Sequence, residues 1–136
     1  MQKDQTQKAR EMTGRNLDLE EIYRANAIGW EEKAPKRPGE SLTFFKAGNL
    51  ALEPYEIDLL GELKGKRILQ LACSNGDEAV SFALMGAKVT GIDLAPSHIA
   101  IAKEKAAALG LEVDLRVGNM MELPKELGKF DLIYLS

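Results

Sequence analysis

Three short runs in this sequence carry side chains that could do chemistry, and each follows a stretch of apolar residues. In Gln70-Leu71-Ala72-Cys73-Ser74-Asn75-Gly76, the small residues at positions 72, 74 and 76 let a ligand approach the backbone. Gly91-Ile92-Asp93-Leu94 puts a carboxylate where the two vicinal hydroxyls of a sugar could donate to it. Gly118-Asn119-Met120 offers an amide and an apolar neighbour able to flank a purine ring. Read together, the runs describe a pocket for an adenosine group, and Ser136, closing a fourth apolar run, is counted with the same site.

The spacing also bears on which adenosine ligand is meant. A dinucleotide fingerprint needs G-x-G-x-x-G, and counting from Ala72 through Ser74 puts Asp77 where the last glycine belongs. Asp77 and Glu78 would also meet a pyrophosphate with two carboxylates in the first turn of the following helix, whereas a sulfonium cation would not be repelled. The plainer account of the same two acids is that they stabilise their own helix dipole.

Other residues have plainer readings too. Asp93 can cap the turn before Pro96, although its place at a strand tip favours a ribose. Cys73 is expected to pack as a small buried residue, since no base is identifiable beside it. His98, in the first turn of a helix, is expected to be a solvated surface residue. Tyr23 and Trp30 are expected to anchor an N-terminal helix to the core.

These runs need elements to hold them. Residues 1–17 are polar and aperiodic and read as a mobile arm. Asp18 with Glu21 has capping-box spacing, and Leu19, Ile22, Tyr23, Ala27 and Trp30 fall on one helical face, ending near Lys33 before a loop through Pro35, Pro38 and Gly39. A second helix starts at Pro54, with Ile57, Leu60 and Leu63 as its buried stripe. This helical segment, 18–64, precedes an α/β unit over 65–136. There, strands are expected over Arg67–Cys73, Val89–Asp93, Glu112–Val117 and Phe130–Leu135, and helices over Asp77–Met85 and from Pro96 to Leu109. The charged alternation of Glu112–Val117 marks an edge strand. The implied fold is a partial, doubly wound, Rossmann-like parallel sheet of order 3-2-1-4, with the pocket at the carboxyl ends of its strands.

Bulk composition narrows the partners. The 136 residues are 45% hydrophobic with a net charge of −3, enough for one core and without a basic tract for nucleic acid or an anionic membrane. One cysteine and one histidine exclude an internal disulfide and a Cys/His metal cluster and suit the cytoplasm. No run reaches the roughly 20 apolar residues that span a bilayer, and the N-terminus has no apolar leader.

Four runs, Gly65 to Gly76, Gly86-Ala87-Lys88-Val89-Thr90-Gly91-Ile92-Asp93-Leu94-Ala95-Pro96-Ser97, Gly118-Asn119 with Leu123-Pro124, and Phe130-Asp131-Leu132-Ile133-Tyr134, resemble, in order, the motifs of class I S-adenosylmethionine-dependent methyltransferases. Phe45-Lys46-Ala47-Gly48 through Leu60-Gly61 resembles the lead-in of a bacterial branch with a Leu-x-Cys-x-x-Gly motif. The resemblance implies S-adenosylmethionine as cofactor and methyl transfer to a small-molecule acceptor. It gives position 70 to the methionine amino group and position 119 to the adenine amine. Where the family has acids, this chain has Gln70 and Asn119, which bind with less charge assistance. Where it has glycines, this chain has Ala72 and Ser74, and the methyl of Ala72 is tolerated if φ stays negative. In proteins of this kind the N-terminal helix lies over the cofactor as a lid.

Methyl transfer from a sulfonium is a direct displacement, so alignment and exclusion of water are the protein's main tasks, and no catalytic residue is singled out. In the family any base comes from segments after the fourth strand, and a sheet stopping there reads as truncated, with an open edge able to self-associate. Two other classes stay open: a non-catalytic adenosyl-binding or edge-pairing module, and an NAD-dependent oxidoreductase.

Overall fold

Ile68 and Leu69 lie next to each other on one strand and are both buried, which requires cover on both faces of the sheet. In the computed structural model, which describes residues 5–14 and 18–136, that strand is β1 (Arg67–Leu71). It lies between β2 (Lys88–Asp93) and β4 (Leu132–Leu135), with β3 (Asp114–Val117) outside β2, so the order is β3-β2-β1-β4 and every pairing is parallel. The expected α/β architecture and strand order are therefore found. Three strands are shorter than expected and one is longer: β1 ends at Leu71 instead of Cys73, β3 starts at Asp114 and β4 at Leu132, while β2 starts one residue early at Lys88.

The register positions the site. Leu71 pairs with Ile92 and with Leu135, and Asp93 pairs with Val117, so the carboxyl ends of all four strands finish in a row. Asp131 fixes the start of β4, its carboxylate accepting from Arg67 N–H and its own N–H donating to Arg67 C=O, both at 2.8 Å.

Helices α5 (Asp77–Leu84) and α6 (Pro96–Ala108) carry the two crossovers from β1 to β3 and cover one face. Ile68 packs there on Ala79 and Phe82, and Val80 meets Ala106. The two helices approach so closely that a Cβ at Gly76 would lie 2.5 Å from Ala102 Cβ, and Gly76 has φ 84°, so this glycine is demanded by packing and conformation alike. The other face carries a smaller cluster, Leu69, Ile92 and Leu127, the last from a 3-10 turn at Lys125–Leu127.

Ahead of the sheet come α1 (Gln5–Thr13), α2 (Leu19–Lys33), a 3-10 turn at Ala34–Lys36, α3 (Leu42–Lys46) and α4 (Pro54–Leu60). Of the segment read as an arm, residues 1–4 and 15–17 lie outside the described residues, and Gln5–Thr13 is helical. Asp18 caps α2, accepting from Glu20 N–H at 3.0 Å. The expectation that α2 is anchored in the core is corrected: none of its residues is buried, Trp30 is 42% exposed, and Tyr23 donates from its hydroxyl to Gln5 Oε1 instead. Short α3 escaped the periodicity argument. Ser41 caps it, and Phe45 seats it against Val80 and Ala106.

Candidate active site at the carboxyl ends of the strands

Backbone geometry sets the site. Past β1 the chain turns through Ala72 and Ser74, both at φ 53°, so the condition of a negative φ under which the methyl of Ala72 is easily tolerated is not met. With both residues left-handed, the loop folds back under the tip of β2. There Ser74 N–H donates to Asp93 Oδ2 at 2.8 Å. Asp93 Oδ1 accepts from Ala95 N–H at 2.9 Å and faces His98 Nδ1 at 3.3 Å. Asp93 thus both caps its own turn, as the plainer reading had it, and joins the loop after β1 to the first turn of α6.

Above these groups is a cavity of about 350 Å³, lined from the strand tips by Ala72, Ser74, Ile92, Asp93, Leu94, Gly118, Met120 and Ser136. Asn26 and Trp30 of α2, with Arg37, line its outer side. The size falls within the ~300–1,000 Å³ usual for small-molecule sites. A broader depression of about 780 Å³ opens at the amino ends of β1, β2 and β3, the wrong end of a parallel sheet for a ligand, and is shallow surface between Arg67, Lys88 and Asp114.

Of the residues singled out by spacing, Ala72, Ser74, Asp93, Leu94, Met120 and Ser136 come together on this wall. The rest do not. Gln70 follows Ile68 onto the α5 face of β1, is 1% exposed, and its Oε1 finds no hydrogen-bond partner among the described residues. Cys73 is fully buried against Ile99, Ala102 and Leu115, and burial, with the charge of Asp93, pushes its thiol up to about 12, so it packs as expected and is no nucleophile. Asn75 spends its side chain on Arg37 C=O and Asp77 N–H. Gly76 serves the α5–α6 approach. Asn119 Oδ1 accepts from Met121 N–H at 2.9 Å, closing a local turn beside the cavity.

Two expectations about charge and exposure change. Asp77 is off the cavity wall: it is ion-paired with the buried Lys105 and accepts from Glu40 N–H at 2.9 Å, while Lys105 Nζ also donates to Pro38 C=O at 3.0 Å. Its charge is spent on holding residues 38–40 to the helices, so it does not argue for or against an anionic ligand. His98 is not a solvated residue: it is 1% exposed, on the cavity wall, with the Trp30 ring centroid 6.3 Å away. Sequence spacing gave no cue to it, because its burial depends on α2. Glu31 of α2 accepts from Ser97 N–H at 3.0 Å and from Ser97 Oγ, which lowers the Glu31 carboxyl below its ordinary range and ties α2 to the start of α6. Arg37, another residue the spacing did not single out, sets its guanidinium 5.8 Å from the Trp30 ring.

The family model described as "Methyltransferase domain" matches residues 68–136, the part of the chain that builds the sheet and the strand tips. The chain belongs to the class I S-adenosylmethionine-dependent methyltransferases. Its fold is the S-adenosylmethionine-binding methyltransferase fold. The chain is 31% identical over 124 residues to the ubiquinone biosynthesis O-methyltransferase of Bordetella pertussis, a match covering 88% of this chain and 49% of that one. It spans about half the length of such curated relatives. Among solved structures, one concerned with conversion of a disulfide bond into a thioacetal group during echinomycin biosynthesis is 32% identical with a TM-score of 0.54, covering 60% of this chain and 35% of that one. The magnesium protoporphyrin IX methyltransferase of Synechocystis with bound SAH, at 24% identity and a TM-score of 0.52 over 60% of this chain and 37% of that one, shows the fold alone.

Proposed function

We propose that this chain is the cofactor-binding part of an enzyme that moves a methyl group from S-adenosylmethionine to a small-molecule acceptor. The observation that carries the reading is the cavity at the strand tips, where Asp93 stands among small and apolar residues. The residues fit the group. Asp93 keeps acceptor capacity for a ribose hydroxyl, while Leu94 and Met120 offer apolar surface to the adenine. At Gly118 an added methyl would meet only Ile92, at 3.4 Å, so the space before it is open. Arg37 supplies a cation for the carboxylate of the methionine part. When bound, S-adenosylmethionine supplies a methyl group on a positively charged sulfur that a nucleophile displaces directly. Among this chain's own residues, Trp30 and Asn26 shield that cavity from water. The reading gives no direct contact to Gln70, which is off the cavity wall.

A small-molecule acceptor is favoured by the assignment of the Bordetella relative to ubiquinone biosynthesis and by the absence of a basic tract in this chain. No described helix is long and apolar enough to cross a membrane, and the buried free thiol of Cys73 agrees with a cytoplasmic setting.

Titration calorimetry tests the reading. S-adenosylhomocysteine is expected to bind, NADH is not, and Asp93→Asn should weaken the former about tenfold or more, the worth of one charge-assisted hydrogen bond. No heat with S-adenosylhomocysteine would end it, and NADH binding in its place would turn the protein into an oxidoreductase. A second reading, an edge-pairing module, draws on β4, whose Ile133 and Leu135 are 61% and 59% exposed. Concentration-dependent self-association in sedimentation, abolished by Ile133→Lys, would favour it.

A further inference from the structure

The adenosyl reading leaves an imbalance at Asp93. A carboxylate has about four lone-pair positions. Three are already taken, by Ser74 N–H, Ala95 N–H and the His98 ring, so one is left, on Oδ2. A ribose presents two adjacent hydroxyl donors. One carboxylate so committed cannot accept from both without giving up a bond that holds the loop or α6.

His98 supplies what is missing. Its Nδ1 faces Asp93 Oδ1 at 3.3 Å. An ionised carboxylate only accepts, so the proton of the neutral ring is on Nδ1 and Nε2 is a bare acceptor. His98 is 1% exposed, lines the cavity beside Asp93, and Nε2 has no hydrogen-bond partner among the described residues. A buried acceptor left without a donor costs free energy that a ligand hydroxyl recovers.

We propose that His98 is a ligand-binding residue whose Nε2 accepts a hydrogen bond from one ribose hydroxyl while Asp93 Oδ2 accepts from the other, so that the Asp93–His98 pair reads the intact diol. The proposal rests on the adenosyl reading and extends it to a residue outside the strand-tip motifs. It gives His98 a double task. Through Nδ1 it steadies the carboxylate, and through Nε2 it touches the ligand.

The chain has one histidine, so its imidazole nitrogens can be followed by ¹⁵N NMR in the unaltered protein without assignment. The neutral ring in the free protein should show Nδ1 protonated and Nε2 bare. Saturation with S-adenosylhomocysteine should move the Nε2 resonance towards a hydrogen-bonded acceptor, and the 2′-deoxy or the 3′-deoxy analogue, one of the two, should leave it in place. Calorimetry supplies the second arm. In His98→Asn the amide replaces Nδ1 and removes the acceptor, so S-adenosylhomocysteine affinity should fall about tenfold, a loss that vanishes with that same deoxy analogue. His98→Gln, which puts an amide oxygen near the position of Nε2, should restore most of it. Protonated Nε2 in the free protein, an Nε2 resonance unmoved at saturation, or equal losses for all three ligands would overturn the role of His98 while leaving the adenosyl reading intact. Failure of the unaltered protein to bind S-adenosylhomocysteine would remove both.

Discussion

Ala72 and Ser74 hold left-handed backbone, at φ 53°, without being glycine. For a residue with a Cβ this conformation costs roughly 1–2 kcal/mol, because Cβ crowds the following carbonyl. Ser74 draws some return, since its N–H donates to Asp93. Ala72 has no such compensation. Ala72→Gly is therefore expected to raise unfolding stability by about 1 kcal/mol in a denaturant titration, part of the relief being offset by the greater freedom of glycine in the unfolded chain. An unchanged or lower midpoint would show that the strain is not there. Gly76→Ala should move the other way, by more, because the added methyl runs into Ala102 as well. The place of Asp93 at the tip of β2 was legible in the sequence, because a carboxylate that closes a buried β-run marks the end of the strand. The sign of φ at Ala72 was not legible, because it depends on where the loop must return. Gln70 and Asn119 were placed by resemblance to family positions, and their side chains turn elsewhere, into the sheet face and into a local turn.

Helices α2 and α4 contain no fully buried residue, so polar ties carry much of their attachment. For α4 the tie is Tyr134, whose hydroxyl donates to Glu56 Oε1 at 2.6 Å while its ring meets Phe82 edge-on at 4.9 Å. That hydrogen bond lowers the Glu56 carboxyl below its ordinary value of 4.5, and burial followed by the same bond pushes the Tyr134 phenol up to about 12. A depressed carboxyl stabilises the fold above its unfolded value and loses this as pH falls through the folded one. A raised phenol stabilises below its unfolded value and loses this as pH climbs through the folded one. Tyr134→Phe should thus cost about 1 kcal/mol near neutrality. In thermal or denaturant melts the gap between wild type and variant should narrow below pH 4.5 and again between 10.0 and about 12. A gap constant across pH would show that only the ring matters. Regular elements of the α/β unit could be read from period and punctuation, since Gly86 and Gly110 close the helices and apolar runs fill the strands. Short α3 has too few residues to show a period, and the exposure of Trp30 reflects a helix that covers a cavity instead of a core.

At the scale of the molecule, the sheet is thickly covered by α5 and α6 on one face and by the lighter Leu69, Ile92 and Leu127 cluster on the other. Order and direction of the strands followed from alternating elements and the single hand of crossovers, which is why they could be anticipated from sequence. Attachment of the N-terminal segment could not, because it runs through pairs far apart in the chain, such as Glu31 with Ser97 and Lys105 with Pro38. Cys73 stands where these layers meet, directly behind the floor of the cavity and beneath α6, with no solvent exposure. Being the one thiol in the chain, it doubles as a built-in clock for the opening of the fold. A maleimide or disulfide reagent can reach it only in molecules whose α6 has lifted off, so the labelling half-life measures how often that happens. Any ligand that clasps Asp93 and the Ser74 loop should lengthen that half-life in proportion to its occupancy, and a rate indifferent to saturating S-adenosylhomocysteine would mean that the floor and the roof of the pocket move independently.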